Sequence, residues 1–572
     1  MNNIELKQLK DKLWHSADIL RSGAHISANK YGQPILGLIF LRYADILFKQ
    51  HKEEIDKEFN SKKGTRAERT YEEICKEKCG FYLPKCAYFD FINDSADTAK
   101  KAELVKKAME SIEEYNPKLK GVLPKEVYGQ LVPEEEPELL SRVVRIFKDI
   151  PENIEIDLFG EIYEFFLGEF ALSEGKDGGT FYTPASVVRY MVEVIRPESG
   201  EKTFLDPACG SGGMFVQAAR YMHRHNADSD RMKFRCYGVE KEPDTVKLAK
   251  MNLMLNNVRG DITEANSFYS NPYDAVGRFD YIMANPPFNV DEVLYERVKD
   301  DPRFNAYGMT KGTKGKGKDA KETVSNANYL WISYFATALN ENGRAGFVMA
   351  NSSSDAGSND LIIRKNMIEN GIIKQIVSLP SNMFTSVTLP ATLWFLDKNK
   401  PVEKRNEILF IDARNVYTQI DRAHRKFSDE QIKNLSIITQ LYDGNVEAFE
   451  ELLMEYKEKA VGENAEYYNS QIQWLLERFP DHKYRDVIGL CKVAKLEDIY
   501  DENGNNIEDG IISQGYSVNP GRYVGFEIEK FNLSDEEFKE KMHNIKGRIE
   551  ETSSKSEELL SKILSNLEGI LK

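Results

Sequence analysis

The sequence has 572 residues, 41% hydrophobic, 30% charged and 11% aromatic, which is enough chain for roughly three or four domains. Its net charge of −15 argues against nucleic-acid binding over the whole surface but allows it in one cleft. The most apolar stretch, 35–48, is short and carries Arg42 and Asp45, and no signal-peptide core follows Met1, so membrane residence is not expected. Six cysteines make no disulfide framework and indicate a reducing, cytoplasmic setting.

The first 150 or so residues are predicted to be mostly helical. Apolar residues recur at helical spacing over 6–19 and 35–48, with a break at 22–32 that contains Gly and Ser. Cys75, Cys79 and Cys86 lie close together, but no histidine or fourth cysteine completes a zinc set. Cys75 and Cys79 fit an ordinary helix face, and we therefore expect no metal site.

From about Phe204, short β-like runs alternate with helical patterns, which is typical of an α/β sheet. The predicted strands are 203–206, 237–240, 281–284, 345–350, 373–379, 393–396 and 408–411. The predicted helices between them are 214–223, 244–256, 328–339 and 362–369. Beyond Phe427 the pattern returns to helix and ends in a charged amphipathic segment.

The first segment that carries chemistry is 206–213, Asp-Pro-Ala-Cys-Gly-Ser-Gly-Gly, which joins an apolar strand to a predicted helix. Its glycines let backbone amides approach a ligand, and the helix N-terminus adds its positive end. Asp206 suits a cationic group, such as the α-amino group of an amino-acid-like cofactor. The third glycine of the dinucleotide pattern is absent, because Phe215 stands there, and a generic βα turn is the alternative.

The next predicted strand ends at Glu240, where ligands of doubly wound sheets bind. A carboxylate at this place typically accepts hydrogen bonds from both ribose hydroxyls. A solvated charge at a strand end is the alternative. After a glycine-rich first turn, the pattern favours a nucleoside site.

A third strand runs straight into 285–288, Asn-Pro-Pro-Phe. Two prolines make a costly strand end, because neither has a backbone donor and both fix φ. The pair can hold the Asn285 side-chain oxygen and the Pro286 carbonyl rigidly, so that each accepts one N–H of a planar amine. Phe288 can stack on the ring that carries the amine. A proline-rich βα loop is the alternative.

This arrangement resembles the amino-methyltransferases that use S-adenosylmethionine, in which a glycine turn, an acid ending the second strand and a [DNS]-P-P-[FYW] turn occur in this order. The segment 179–184, Gly-Thr-Phe-Tyr-Thr-Pro, together with 206–213, is similar to the modification (M) subunit of type I restriction–modification systems. Segments 157–164, 378–384 and 519–524 add to the similarity, which spans most of the chain in the family's order.

The resemblance implies a fold and a domain order. We expect an α/β S-adenosylmethionine-dependent methyltransferase, with a Rossmann-like, seven-stranded, mostly parallel sheet, an all-α N-terminal domain and a C-terminal helical tail. The expected parts are a helical domain at 1–155, the catalytic domain at 156–425, a helical extension and linker at 426–525, and a coiled-coil-like helix at 526–572. Within the extension, 439–479 exceeds the compact family pattern. The last helix shows a 4-3-4 rhythm that suits a partner helix or its own domain, with apolar positions Phe538, Met542, Ile545, Ile549, Leu559 and Ile563.

The resemblance also implies an activity and a site. It implies methyl transfer from S-adenosylmethionine to the N6 of adenine in double-stranded DNA, with the base flipped into the cleft. The residues expected at the reacting amine are Asn285, Pro286, Pro287 and Phe288. The residues expected at the cofactor are Gly179, Thr180, Phe181, Tyr182, Thr183, Pro184, Asp206, Ala208, Gly210, Ser211, Gly212, Gly213, Glu240, Asn266 and Ser267.

The partners that the resemblance implies are double-stranded DNA, a specificity (S) subunit that reads the sequence, a second copy of the chain in a complex of two M subunits with one S subunit, and a restriction (R) subunit. Cytosine N4 and a protein glutamine amide are alternative targets, because each presents a planar NH₂ group. A non-enzymatic assembly scaffold is a further alternative, which the intact set of Asp206, Glu240 and Asn285 disfavours.

The window 301–321 carries six basic and two acidic residues. It nearly contains a phosphate-binding loop, but Asp319 takes the place of the final Ser or Thr and no apolar strand precedes it. The window is interpreted either as a solvated loop or as an arm that contacts DNA phosphates.

Overall fold

The computed structural model of the chain describes residues 3–23, 28–96, 100–132, 136–174, 183–198, 200–225, 234–314, 321–384, 390–421, 424–526, 539–540, 542–547, 550, 552–556, 559–560 and 562. The chain divides into two units, Met1–Gly525 and Phe526–Lys572. In the described part of the second unit, Phe526 is exposed and not helical, and the described residues from 539 to 562 are helical with exposed side chains. Met542, Ile545 and Leu559 of the predicted apolar rhythm are among them, whereas positions 538, 549 and 563 lie outside the described residues.

The first unit begins with a helical layer that has its own apolar core. In its described part the α-helices are α1 Asn3–Gly23, α2 Ala28–Lys62, α3 Tyr71–Cys79, α4 Phe89–Asn93, α5 Lys101–Tyr115, α6 Leu139–Lys148 and α7 Asp157–Glu174. The most apolar stretch of the sequence lies in α2, and Ile35 to Phe48 are buried in this core. Arg42 and Asp45 form an ion pair inside it (3.1 Å), and Arg42 also donates to the carbonyl of Ile150 (2.6 Å). Among the helices that the structure describes, none has both the length and the apolar character needed to cross a membrane.

Cys75 and Cys79 lie on α3. Thr70 is the N-cap residue of this helix and forms a capping box with Glu73. Cys75 and Cys79 are buried four residues apart, as predicted for an ordinary helix face. Burial raises the pKa of Cys75 to about 11 and that of Cys79 to about 12, so both thiols are protonated at neutral pH.

A nine-stranded sheet follows. Its strands are β1 Thr203–Asp206, β2 Arg235–Glu240, β3 Gly260–Glu264, β4 Phe279–Ala284, β5 Leu339–Ala350, β6 Ile373–Ser378, β7 Ala391–Asp397, β8 Glu407–Asp412 and β9 Cys491–Lys495. Their order is β9-β8-β6-β7-β5-β4-β1-β2-β3. Strand β7 runs antiparallel to both neighbours and β9 antiparallel to β8, whereas the other pairings are parallel. Every predicted strand is confirmed, and β3 and β9 extend the sheet at its two edges.

Helices cover both faces of the sheet, as the strand sequences require, because alternate residues such as Phe204 and Leu205 lie in different apolar clusters. The helices in this region are α8 Ala185–Ile195, α9 Gly213–His225, α10 Pro243–Leu255, α11 Tyr295–Val298, α12 Pro302–Asn305, α13 Asn328–Ala338 and α14 Ser358–Glu369. The predicted helices between strands correspond to α9, α10, α13 and α14 and are confirmed.

The extension beyond β8 is helical before the chain returns to the sheet as β9. It contains α15 Asp429–Asp443, α16 Val446–Lys459 and α17 Ala465–Arg478. Short antiparallel pairs join 312–314 to 321–323, 418–419 to 425–426, and 499–500 to 506–508.

Candidate active site

Three loops with polar residues meet at one edge of the sheet. Strands β2, β1 and β4 are adjacent and parallel, with Asp206 opposite Gly238 and Leu205 opposite Ile282. Because carboxyl ends of parallel neighbours share an edge, the loops after all three strands lie together there. This edge therefore combines the glycine-rich turn, Glu240 and the Asn-Pro-Pro-Phe turn that the sequence placed at three separate strand ends.

The glycine-rich turn needs its glycines for both conformation and space. Gly210 and Gly212 have φ of +51° and +79°. A Cβ on Gly212 would lie 2.7 Å from the Leu253 side chain of α10, so the turn packs directly on that helix. Among the described residues, no atom lies within 4 Å of a Cβ built on Gly210 or on Gly213. Within that part of the chain, the turn is fixed from behind by α10 and open at two of its backbone positions.

Asp206 is a buried carboxylic acid at the end of β1, 1% exposed. The N–H of Ala208 donates to its Oδ1 (3.0 Å). Burial raises the pKa of Asp206 well above its ordinary value, and the charge of Glu240 raises it further. A cation bound here would relieve the electrostatic cost of ionising this group.

Glu240 connects the first two loops. Its carboxylate accepts the Gly210 N–H (3.0 Å), and also the N–H groups of Lys241 (2.8 Å) and Glu242 (2.9 Å). The hydrogen bond from Gly210 holds the glycine turn against the end of β2. Glu240 is half-buried beside that turn.

Asn266 and Ser267 follow β3, a strand that the sequence did not predict. Ser267 is buried, and its hydroxyl donates to the carbonyl of Pro207 (2.5 Å), which places it directly behind the glycine turn. The Asn266 side-chain oxygen accepts the N–H of Phe268 (3.0 Å). The structure therefore brings this weakly marked element to the same edge.

Asn285 is half-buried, and its side-chain amide donates to the hydroxyl of Thr183 (2.9 Å). This bond orients the amide, because the nitrogen donates one N–H to Thr183 and the oxygen Oδ1 can then accept a hydrogen bond from a ligand. Thr183 was expected at the cofactor, and the structure places it against the Asn-Pro-Pro-Phe turn. Pro184 caps the start of α8, while Gly179 to Tyr182 lie outside the described residues.

The rest of the Asn-Pro-Pro-Phe turn lies against the sheet. Pro286 is buried and Pro287 is half-buried. Phe288 is half-buried and packs on apolar clusters from both faces of the sheet. The ring is therefore supported by the core while part of its surface faces outward.

An asparagine network that the sequence did not indicate supports the end of this turn. Asn289 has φ of +57°, a strained conformation that asparagine tolerates better than most residues. Its N–H donates to Asn328 Oδ1 (2.9 Å), and its Oδ1 accepts from the side chains of Asn328 (3.0 Å) and Asn326 (3.1 Å). Asn328 also donates to Ser353 Oγ (3.1 Å) and is only 3% exposed.

For the methyl transfer that the sequence resemblance implies, we expect Asn328→Ala to lower kcat about tenfold and to leave the KM for the methyl donor unchanged, since loosening the turn misplaces the reacting group. It should also lower the free energy of unfolding by about 1–3 kcal/mol, because buried partners lose their hydrogen bonds. Steady-state kinetics well below the melting temperature measure the first effect and thermal unfolding the second. An unchanged kcat in a destabilised variant would show that the network serves stability alone.

The basic window at 301–321 needs one correction. Arg303 is buried, pairs with Asp301 (2.7 Å) and donates to the carbonyls of Ser267 and Ser270 (2.8 Å each), so it supports the site from inside and is not available to DNA. Lys311 pairs with Glu322 (2.9 Å) and Lys314 with Glu292 (2.8 Å) on exposed surface. Residues 315–320 lie outside the described part of the chain.

Comparison with known proteins identifies the family. A model of the N-6 DNA methylase family matches residues 154–529, and a model of the HsdM N-terminal domain matches residues 9–147. The type I restriction enzyme MjaIX methylase subunit of Methanocaldococcus jannaschii is 33% identical over 97% of this chain and 91% of its own length. The HindI methylase subunit of Haemophilus influenzae is 32% identical over 82% of this chain and 92% of its own length.

A solved structure shares the fold. The type I restriction-modification system methyltransferase subunit from Streptococcus thermophilus superposes with a TM-score of 0.69 at 22% identity, covering 91% of this chain and all of that one. Since the family model spans well over half of the chain and the archaeal relative matches nearly all of it, the chain belongs to the N-6 DNA methylase family, among the methylase subunits of type I restriction–modification systems.

Proposed function

We propose that this chain transfers a methyl group from S-adenosylmethionine to the N6 amino group of adenine in double-stranded DNA. The observation that carries the proposal is the position of Asn285, which lies at the end of β4, beside the glycine turn of β1. Its amide nitrogen donates a hydrogen bond to the Thr183 hydroxyl, which leaves Oδ1 to accept a hydrogen bond from the substrate amine.

The residues around the glycine turn suit an amino-acid nucleoside. Asp206 offers a buried carboxylate for an ammonium group, and the turn is open beside Gly210 and Gly213. Glu240 offers acceptor oxygens at the end of β2, in reach of a ribose on the same turn. Asn266 and Ser267, which follow β3, are the proposed neighbours of the cofactor's adenine ring. When bound, S-adenosylmethionine would supply an electrophilic methyl group on its sulfonium centre; as the N–C bond forms and the S–C bond breaks, it would leave as S-adenosylhomocysteine and the methylated nitrogen would release one proton to water.

The turn after β4 would hold the reacting amine. Asn285 Oδ1 and the Pro286 carbonyl each accept one N–H, which favours a more pyramidal, more nucleophilic nitrogen as positive charge develops. Pro286 and Pro287 keep these acceptors in place, so much of the rate gain comes from positioning. Flipping the base costs a few kcal/mol. Stacking of Phe288 on the flipped base would offset about 1–3 kcal/mol of this cost.

Cytosine N4 and a protein glutamine amide could occupy the same turn, and a chemical assay separates all three targets. DNA and total protein are incubated with the enzyme and methyl-labelled S-adenosylmethionine, then digested and analysed by mass spectrometry. The proposal expects label in N6-methyladenine. Label in N4-methylcytosine or methylglutamine would replace adenine as the target.

We further propose that sequence reading belongs to a separate specificity subunit, as in the type I systems that the relatives serve. A net charge of −15 supports this division, because a chain of this balance binds DNA weakly by itself. Double-stranded DNA, a second copy of the chain in a complex of two M subunits with one S subunit, and a restriction subunit are the further partners proposed. The coiled-coil-like C-terminal segment is the proposed contact with the specificity subunit.

We expect the purified chain alone to methylate DNA at least about 100-fold more slowly than the complex with the specificity subunit at the same low DNA concentration. The reason is that specific binding exceeds non-specific binding by about 10³ or more. Co-expression with and without a candidate specificity subunit, followed by methylation assays, measures the ratio. Robust site-specific methylation by the isolated chain would contradict the division of labour.

A further inference from the structure

A chain of hydrogen-bonded polar side chains joins the N-terminal helical layer to the glycine turn; it is half-buried at Glu164, Arg220 and Asn256 and fully buried at Asn252. It begins on α7, within the segment 157–164 that the sequence analysis singled out. The apolar face of α7 belongs to the N-terminal core, where Phe159, Ile162 and Phe166 are fully buried. The helix also contacts α9 through Glu164 and packs on α10, whose Met251 and Leu255 belong to the same core.

Two residues of this segment make the contact polar and close. Glu164 accepts from the guanidinium of Arg220 (2.6 Å) and from the side chain of Gln217 (3.1 Å), both on α9. At Gly160 a Cβ would lie 2.0 Å from Asn256 Oδ1, so only glycine permits this approach of α7 to the end of α10. The side chains of Glu164 and Arg220 are 13% and 29% exposed, and a partly buried ion pair adds little to stability on its own, which points to a role in positioning.

From Arg220 the hydrogen bonds continue to the turn without interruption. Arg220 donates to Asn256 Oδ1 (2.9 Å), and the Asn256 amide donates to Asn252 Oδ1 (3.0 Å). Asn252 is fully buried and donates to the backbone carbonyl of Ser211 (2.9 Å). Leu253 of the same helix, α10, packs against Gly212. The turn therefore contacts α10 at two places, Asn252 and Leu253, and a shift of α10 would move both.

We propose that Glu164, Arg220, Asn256 and Asn252 form a positioning relay that sets the geometry of the glycine turn and thereby the affinity for the methyl donor. The inference rests on the proposed use of this turn for S-adenosylmethionine. None of these side chains needs to touch the donor, because the relay ends on the Ser211 backbone. Through it, the placement of α7 in the N-terminal layer controls how well the turn fits its ligand.

The test uses the full chain, with S-adenosylmethionine affinity measured by calorimetry and methylation measured in complex with the specificity subunit. We expect Asn252→Ala and Arg220→Ala each to raise the dissociation constant and the KM for S-adenosylmethionine about tenfold, with kcat at saturation within about twofold. Glu164→Gln keeps an acceptor for Arg220 and should show a smaller increase. The double variant Arg220→Ala/Asn252→Ala should have the same dissociation constant for S-adenosylmethionine as Asn252→Ala alone, since both changes interrupt one relay.

Asn434→Ala is the matched control. Asn434 is also a buried asparagine with two side-chain hydrogen bonds, to Gln471 and from Tyr456 (2.9 Å each), but it lies on α15. It should lose stability without any change in KM. If the parent chain is active, two results would overturn the relay. One is an unchanged affinity for S-adenosylmethionine in Asn252→Ala, and the other is a fully additive loss of affinity in the double variant. A parent chain that binds no S-adenosylmethionine would instead overturn the proposed function, and the relay with it.

Discussion

Asn285→Ala is expected to abolish detectable methylation, a loss of at least about 10³-fold in kcat, while the affinity for S-adenosylmethionine changes less than about twofold. The variant removes the oriented acceptor for the substrate amine, an interaction that strengthens as charge develops in the transition state. It leaves Asp206, Glu240 and the glycine turn in place. Single-turnover methylation and calorimetry on the same preparation measure the two quantities.

Asn285→Asp is the graded control for this prediction. The carboxylate keeps acceptor oxygens of similar shape, and the Thr183 hydroxyl can donate to it where it now accepts from the amide (2.9 Å). The variant should therefore retain measurable turnover. Lost affinity for S-adenosylmethionine together with retained activity in Asn285→Ala would show that the turn binds the cofactor and does not hold the amine.

Asp206→Asn is expected to separate stability from function. The affinity for S-adenosylmethionine should fall about 100-fold, because a charge-assisted contact with the ammonium group is lost. In the absence of ligand the variant should be more stable at neutral pH, by about 1–3 kcal/mol, since the structure no longer buries a carboxylate. Calorimetry and thermal unfolding without ligand measure the two effects, which have opposite signs.

The pH dependence fixes the sign of the second effect. Burial raises the pKa of Asp206 in the folded chain, so its contribution to stability is present below the unfolded pKa of about 3.9 and is lost as pH rises towards the folded pKa. Asp206→Asn should remove the decrease in folding stability that Asp206 causes as the pH rises. If Asp206→Asn is less stable than the parent at neutral pH, the folded structure must already offset the free-energy cost of burying the Asp206 carboxylate.

Asp280, at the start of β4, provides the opposite case. Burial favours a higher pKa for Asp280, but hydrogen bonds from Thr203 and Asn340 and the charge of Lys202 outweigh it and lower the pKa. Its contribution is present above the unfolded pKa and is lost as pH falls through the folded pKa. Asp280→Asn should therefore destabilise the chain and leave the affinity for S-adenosylmethionine unchanged.

Most of the sheet could be predicted because its inner strands are apolar runs that end in turn residues, as β4 does at Asn285. The two edge strands were missed for a physical reason. In β3 only Ile262 is buried, and β9 carries exposed Lys495 and half-exposed Lys492 and Val493, so neither forms an apolar run. The third cofactor element was weakly marked for the same reason, because Asn266 and Ser267 follow β3.

Contacts between distant segments were beyond sequence reasoning. Thr183 and Asn285 are 102 residues apart, and their hydrogen bond depends on how α8 meets the sheet. Arg303 was counted with an exposed basic window, because five lysines follow it between 311 and 321, yet its guanidinium lies buried against Asp301 and two carbonyls. Residue type and spacing could not distinguish a buried arginine from an exposed one.

The late return of β9 has a consequence for synthesis on the ribosome. Strand β8 is fully buried, and Glu407 at its start pairs with Lys495, 88 residues later. At typical elongation rates that interval takes roughly 4–18 s, during which the three helices after β8 are made first. Until β9 arrives, the outer backbone edge of an apolar strand has no partner, and such edges recruit other nascent chains. Completion of the sheet therefore depends on a segment that is translated long after its neighbour.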